Sequence, residues 1–395
     1  MRSVDEHREV VAGLIAARPP ISVPISDALG LVLAEDVVAP LSLPGFDNSA
    51  MDGYAVIDDD IATATDDAPV RLPVTEDIPA GRTDIPTITR GAAHRIMTGA
   101  PLPEGATAVV PVEATDGAVD TVTIRVSVVP GQHVRRAGED VTAGSTVLTA
   151  GQVVTPAALG LAAALGLVEL TVVPRQRVLV LSTGTELVAP GAPLQPGQIY
   201  ESNAVMLAAA VRDAGADVAV APMTSDDVDV FRETLREHTG QADLIITTGG
   251  VSAGAYEVVK DALSGTVEFV KVAMQPGMPQ GAGVVNGTPI ITLPGNPVSA
   301  LVSFEVFIRP ALRAAMGLPD ADRPRRTATL TEDLTSPRGK RQFRRGVLDG
   351  DTVISYGPPA SHHLRWLASA NCLLELDEDT SEAAAGQRVQ VWDLR

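Results

Sequence analysis

The sequence predicts a mixed α/β and β, multidomain chain, with one α/β domain set between β-rich regions. Three observations carry this. A length of 395 residues fits two to four cores better than one. The texture changes near residue 175 from short β-rich runs to strand–helix alternation, and it changes back near 318. Within the alternating stretch, fully apolar runs end in Thr, Ser, Gly or Asn and then give way to helix-like segments.

A first helix is expected over 3–17. Ser3 can cap it, and Glu6 stands three residues later in capping-box spacing. Val4, His7, Val11 and Leu14 share a face, and Pro19-Pro20 stop the run. From 21 to 170, runs such as ISVPI, AVVPVE and TVTIRVSVV alternate with Pro, Gly and Asp, as short strands do. A polar glycine-containing loop, GFDNSAMDGYAV at 45–56, lies among them. Residues 156–166 read as a short Ala/Leu-rich helix opened by Pro156.

From 175, RVLVLSTG, DVAVAPM, ADLIITTGG, TVEFVKVAMQPG and TPIITLPGN read as strands. NAVMLAAAVRDAG is a helix capped by Ser202. SDDVDVFRETLREH is a helix with Asp226 and Asp227 at its start, where acids complement the dipole. The last helix opens at Pro297, with Pro310 ending or kinking it. The alternation implies a mostly parallel sheet covered on both faces. After 318, RRTATLTEDL, QFRRGVLDG, DTVISY, NCLLELDED and RVQVWDL read as a small β-barrel or sandwich. The segments are therefore 1–44, 45–145, 146–174, 175–317 and 318–395.

A formal net charge of −19 argues against a nucleic-acid groove or an anionic membrane as main partner, since both require a basic face. The single cysteine, Cys372, allows no intrachain disulfide and no thiolate zinc site, as expected in a reducing cytosol. Asp5, Glu6 and Glu9 interrupt the N-terminal run, unlike a signal peptide. No charge-free apolar run approaches ~18 residues. A cytoplasmic location is expected.

The chemistry concentrates at three strand ends, VLVLSTGTEL, LIITTGGVSAG and IITLPGNPVSA. In open α/β sheets ligands bind beyond the carboxyl ends of strands. Glycines let the backbone approach, while hydroxyls and helix N-terminal N–H groups bind phosphate-like oxygens. A turn alone explains any one of these glycines, whereas three such ends in one domain point to an anion site. None matches GxGxxG or the P-loop pattern. Glu186, Asp226 and Glu257 lie close by. Singly they read equally as helix-start or surface charge; together beside a phosphate they suit Mg²⁺. Asp52 and Asp140 sit in compact polar loops, which a glycine-rich turn explains as well. A basic cluster in SPRGKRQFRRG holds Arg338, Lys340, Arg341, Arg344 and Arg345; it is a solvated loop or a seat for a tetrahedral oxyanion. His362-His363 has no acidic or cysteine partner at ligand spacing and reads as loop. No GxSxG or HExxH pattern is present.

The strings PGFDNSAMDGYAV, RIMTGAPLPEGATAVVPVE, RRAGEDV, STGTEL, YESNAVML, GGVSAG, PGMPQG, LPGNPVSA and SHHLRWLASAN follow one another in order. Together they resemble the molybdopterin molybdenumtransferases, the molybdenum insertases of the MoeA family (gephyrin E domain in animals), over nearly the whole chain. The resemblance implies an elongated four-domain homodimer. Residues 1–44 and 146–174 would share a linker domain, 45–145 form a β-rich domain, 175–317 a three-layer molybdopterin-binding α/β domain, and 318–395 a C-terminal β-barrel. It implies insertion of molybdate into adenylylated molybdopterin with release of AMP, in the presence of Mg²⁺. The molybdopterin adenylyltransferase, whose fold the α/β domain shares, is a further expected partner.

Carried over by motif, Asp52, Asp140, Glu186, Asp226 and Glu257 are implied as catalytic, with Glu186, Asp226 and Glu257 also on the metal. Substrate contacts are implied for Thr98, Ser182, Thr183, Gly184, Ser202, Asn203, Thr248, Gly249, Gly250 and Ser252. They extend to Lys260, Lys271, Pro294, Gly295, Asn296 and Ser299. Arg345, Ser361 and Pro279 stand at molybdate positions. The site would lie between the α/β domain of one subunit and the β-rich region of the other.

Three departures stand out. The usual STGDEL reads STGTEL, with Thr185 in place of the acid. Glu257 replaces an Asp, with Lys260 kept. The usual KPGKP reads Gln275-Pro276-Gly277-Met278-Pro279, without either lysine. Either Lys271, Lys260 or the arginine cluster compensates, or the chain is a variant with weak molybdate capture. A paralogue that binds molybdopterin or a partner protein without catalysis is the second reading. A domain that adenylylates molybdopterin is the third, against which the added β domains and the terminal Ser-His motif count.

Overall fold

The computed structural model describes residues 1–220, 223–250 and 258–395. The chain divides into two compact units. One comprises Met1–Ser22, Gly30–Ala34 and Thr171–Arg395; the other Val23–Leu29 and Glu35–Leu170.

The first unit contains a six-stranded sheet in the order Asp217–Val220, Arg177–Ser182, Leu244–Thr248, Thr288–Leu293, Pro279–Val285, Val267–Lys271. The first four strands are parallel. Pro279–Val285 is antiparallel to both neighbours. Val178 and Val180 enter the core beneath one face, Leu179 and Leu181 that beneath the other. Burial on both faces is why the strand reads as an uninterrupted apolar run.

Pro279–Val285 is one strand more than the sequence suggested. Its glycines lower strand propensity, yet crowding requires them. A Cβ on Gly281 would stand 2.2 Å from Thr292 Oγ1, and one on Gly283 2.3 Å from the Thr266 carbonyl oxygen.

The helix Val4–Leu14 forms the capping box: Glu6 N–H donates to Ser3 Oγ at 3.1 Å, and Ser3 N–H to Glu6 Oε2 at 2.8 Å. It ends short of the expected 17 because Ile15 is already extended. Val4 and Val11 join Phe304 and Phe307 in the core. The last helix of the α/β region neither stops nor breaks at Pro310. Pro297–Ser303 passes through a π-helical turn, Phe304–Ile308, into Arg309–Ala315. The wider turn absorbs the donor that proline lacks.

The strands Arg341–Asp349, Thr352–Ser355, Arg325–Leu330, Arg388–Asp393 and Cys372–Leu376 pair in that order, and the last pairs back onto the first. The C-terminal region is thus a closed barrel rather than a sandwich, filled by Leu330, Leu348, Val353, Leu374 and Val391. Met274–Gln275 adds to it in parallel, Met274 opposite Arg341.

The second unit is β-rich. Its five-stranded sheet runs Ala108–Pro111, Gly53–Val56, Ala93–Ile96, Val70–Ile78, Thr121–Ile124. Gly53 has no room for a side chain, since a Cβ would stand 1.9 Å from the Val110 carbonyl oxygen. The helix Pro156–Ala164 opens at Pro156 with Thr155 as cap. Among the described residues no helix is long and apolar enough to cross a membrane.

Candidate functional site

The three strand ends singled out by sequence are neighbours. Arg177–Ser182, Leu244–Thr248 and Thr288–Leu293 lie side by side and parallel, with Ser182 opposite Thr248 and Thr248 opposite Leu293. Their carboxyl ends open on one edge, where a cavity of about 1140 Å³ lies. The barrel region supplies the facing wall through Lys340, Pro359, Ala360, Ser361, His362 and Leu364.

Beneath the cavity, Ser182 Oγ meets Glu201 Oε1 at 2.9 Å and Thr248 Oγ1 at 3.0 Å. Glu201 Oε1 also accepts the Ala204 N–H at 2.7 Å. Only 5% of Glu201 is exposed. It therefore caps the helix Asn203–Asp213, correcting the assignment of Ser202. Ser202 has φ −126° and ψ −22° and makes no capping bond with its side chain, because that backbone is not the extended form a side-chain cap uses. Ser202 lines the cavity instead. Sequence reasoning missed Glu201; the available signal was an acid just ahead of a helix start.

Asp226 does not cap its helix. Asp227 does, accepting from Asp229 and Val230 N–H. Asp226 Oδ2 accepts from Thr185 N–H at 3.1 Å and from Thr185 Oγ1 at 2.9 Å. Glu186 is exposed and folds over Gly184, where a Cβ would stand 2.7 Å from Glu186 Oε2. Both carboxylates line the cavity. Glu257 and Ser252 lie outside the described residues. Among the described residues no three His, Cys, Asp or Glu side chains are grouped to hold a metal. Mg²⁺ asks for less, one or two carboxylates with the remaining positions filled by ligand oxygens and water. Glu186 and Asp226 meet that requirement.

The glycines serve packing as well as access. Gly249 has φ +92°, and a Cβ there would stand 2.7 Å from the Thr183 carbonyl oxygen. Gly295 stands so close that its Cβ would lie 3.5 Å from Gly249 Cα. Thr183, Gly184, Gly249, Gly250, Pro294 and Gly295 all line the cavity, as do Thr248 and Ser299. Asn203 lines it too and donates to the Gly295 carbonyl at 2.7 Å. Asn296 donates through Nδ2 to Ser361 Oγ at 2.9 Å, and Val298 N–H donates to the Ser361 carbonyl at 3.0 Å. The start of the helix Pro297–Ser303 thus grips the barrel loop that carries Ser361.

The basic cluster splits. Arg345 is 4% exposed and lies outside the cavity lining. Its guanidinium donates to the carbonyls of Pro358, Ala360 (3.1 Å) and His363 (3.4 Å). Burial and the neighbouring Arg344 lower its pKa. It braces the Ser361 loop from behind rather than facing the cavity, because those three carbonyls take its donors. Lys271 is exposed and, like Lys260, is not part of the lining, whereas Pro279, Ser361, Lys340, Gln275 and Met278 are. His362 lines the cavity and stacks edge-on against His363, with centroids 4.3 Å apart.

In the second unit, Thr98 N–H and Oγ1 each reach Asp52 Oδ1 at 2.7 Å. These bonds hold the Asp52 carboxyl below its ordinary 3.8, the backbone N–H contributing most. The loop bearing Asp52 is laced to the loop bearing Asp140. Asp47 accepts from Ala137 N–H at 2.8 Å and Arg136 Nη1 at 2.6 Å, and Asn48–Ser49 pairs with Val134–Arg135. Asp140 is exposed, with its N–H on the Leu43 carbonyl at 3.0 Å.

Comparison with known proteins agrees with this arrangement. Residues 2–166 match the MoeA N-terminal region (domain I and II). Residues 179–314 match a probable molybdopterin binding domain, and 327–394 the MoeA C-terminal region (domain IV). The chain is 69% identical to molybdopterin molybdenumtransferase 2 of Mycobacterium tuberculosis, with both chains covered in full. It is 38% identical to molybdopterin molybdenumtransferase 1 of the same organism, covering 99% of this chain and 98% of that one. Among solved structures, a molybdopterin biosynthesis MoeA protein of Pyrococcus horikoshii superposes with a TM-score of 0.85 at 29% identity, covering 100% and 99% of the two chains. With its site formed on these strand ends and its three regions matched in order, the chain belongs to the MoeA family.

Proposed function

We propose that this protein is a molybdopterin molybdenumtransferase, which inserts molybdate into adenylylated molybdopterin and releases AMP. One observation carries the reading. A single cavity joins the glycine-rich strand ends, suited to phosphate oxygens, to the barrel loop bearing Ser361, suited to an oxyanion.

The roles follow from placement. Thr183, Gly184, Gly249 and Gly250 receive the phosphates, and Asn203 fixes the Gly295 turn beside them. Ser182, buried against Glu201 and Thr248, keeps the floor in register. Glu186 and Asp226 would hold Mg²⁺, which when bound neutralises charge on the anhydride. Ser361 faces molybdate, and Arg345 holds its loop in place. Asp52, Thr98 and Asp140 complete the site from the partner subunit of a homodimer, and the family motif makes Glu257 a further candidate Mg²⁺ ligand. The protein works in the cytoplasm, beside the adenylyltransferase that supplies its substrate.

Purified protein given Mg²⁺, molybdate and adenylylated molybdopterin is expected to release AMP in proportion to cofactor formed. No AMP release sinks the reading. A non-catalytic binding paralogue is the second reading. It is favoured by the uncharged Gln275 and Met278 lining the cavity; under it, Asp52→Ala or Glu186→Ala still rescues a strain lacking molybdenum cofactor.

A further inference from the structure

We infer that Lys340 is the cationic anchor for a tetrahedral dianion in this cavity; the dianion's identity rests on the proposed function. The described lining carries three carboxylates, Glu186, Glu201 and Asp226, and one cation, Lys340. An oxyanion entering against three carboxylates is repelled unless positive charge meets it.

Three arginines of the basic cluster are committed to the protein itself. Arg341 pairs with Asp5 at 2.9 Å and Glu378 at 3.1 Å. Arg344 donates to the Thr335 carbonyl at 3.3 Å, and Arg345 to the carbonyls behind Ser361. Arg338 is exposed and outside the lining. Lys340 is half-buried, faces the cavity and forms no ion pair among the described residues.

Strand register explains its position. Arg341 N–H donates to the Ala273 carbonyl at 2.9 Å, and Met274 pairs with Arg341. Lys340 therefore stands just ahead of the strand that pairs with Met274–Gln275, and it lines the same cavity as Gln275–Met278, a segment with no charge of its own. The positive charge enters from the barrel strand instead of from that loop. Ser361 supplies a second donor on the same wall. Its oxygen accepts from Asn296, which leaves its hydroxyl proton to donate. A flexible ammonium and a hydroxyl suit a tetrahedral oxyanion that needs no planar fork.

The test compares Lys340→Ala, Lys340→Arg and the double variant Lys340→Ala/Met278→Lys by steady-state kinetics. Molybdate and adenylylated molybdopterin are varied in turn. Lys340→Ala is expected to raise the KM of one of them about tenfold or more, the loss of one charged hydrogen bond, with kcat little changed. Lys340→Arg retains most of the affinity, and Met278→Lys restores it in the alanine background. A rise confined to molybdate places molybdate at Lys340, and one confined to the nucleotide substrate places the pterin phosphate there. Unchanged KM for both substrates, or a fall in kcat alone, overturns the anchor while leaving the function intact. A wild type that releases no AMP overturns the function. Calorimetric titration of molybdate and of inorganic phosphate into wild type and Lys340→Ala then decides the anchor: weaker binding of either to the variant supports it, and equal binding of both overturns it.

Discussion

Thr185 holds Asp226 with both of its donors, the backbone N–H at 3.1 Å and the hydroxyl at 2.9 Å, each on the same carboxylate oxygen. The Asp226 N–H returns to Thr185 Oγ1 at 3.2 Å. A second carboxylate at 185 would repel Asp226, whereas threonine fixes its direction. Thr185→Val keeps the volume and removes the hydroxyl. AMP release is expected to fall about tenfold, the worth of one hydrogen bond to a charged group, with the melting temperature within about 2 °C of wild type. Kinetics beside thermal unfolding check both halves. An undiminished rate would show that Asp226 needs no such bracing.

Asp52 offers a pH prediction. Thr98 lowers its carboxyl below 3.8, first through the backbone N–H and then through the hydroxyl. The ionised form is the favoured one, so it persists to lower pH than in an ordinary aspartate. Thr98→Val removes one of the two bonds, and the Asp52 carboxyl should titrate at higher pH. Carboxyl carbon NMR of wild type and variant reads the shift directly, and the acid limb of the rate profile should move upward with it.

His7 links pH to stability. It is fully buried edge-on to Phe307, with centroids 4.7 Å apart. Neither ring nitrogen has a partner among the described residues. Burial, then the charge of Arg2, lowers its pKa from 6.5 to about 4. The unfolded chain binds this proton near 6.5 and the folded chain only near 4. Its stability contribution is therefore fully present above 6.5 and is lost as pH falls toward 4, by up to about 1.4 kcal/mol per pH unit. Urea unfolding of wild type and His7→Leu at several pH values should converge in slope above 6.5 and diverge below it.

Cys372 should be inert. It is buried, and burial followed by the nearby Asp393 pushes its thiol up to about 12. The thiolate is the reactive form. Iodoacetamide at pH 8 is expected to leave the folded protein unlabelled and to modify one thiol per chain in urea. Labelling of the native protein would mean that the barrel opens locally.

The sequence made several of these features legible because they are local. The capping box of Ser3 and Glu6, the apolar strands buried on both faces and the three glycine-rich strand ends each depend on a handful of adjacent residues. What stayed hidden depends on register. Pro279–Val285 is a strand because Gly281 and Gly283 fit against Thr292 and Thr266, which no window around them displays. Lys340 and Arg345 share one basic run, yet strand pairing turns one to the cavity and the other to three carbonyls. Glu201 carried no signal beyond an acid ahead of a helix start, because its partners Ser182 and Thr248 lie on other elements of the fold.

The first helix belongs to a core completed near the other end of the chain. Val4 and Val11 pack with Phe304 and Phe307, and Asp5 meets Arg341, 336 positions later. Residues 35–170 by contrast belong to one continuous stretch of the second unit. On a ribosome adding roughly 5–20 residues per second, that stretch can close early. The 11-residue leading helix, marginal by itself in water, must wait on the order of tens of seconds for its binding surface to be made. Premature stops before the barrel would thus release a chain with one finished unit and an apolar amphipathic leader, a ready ligand for chaperones.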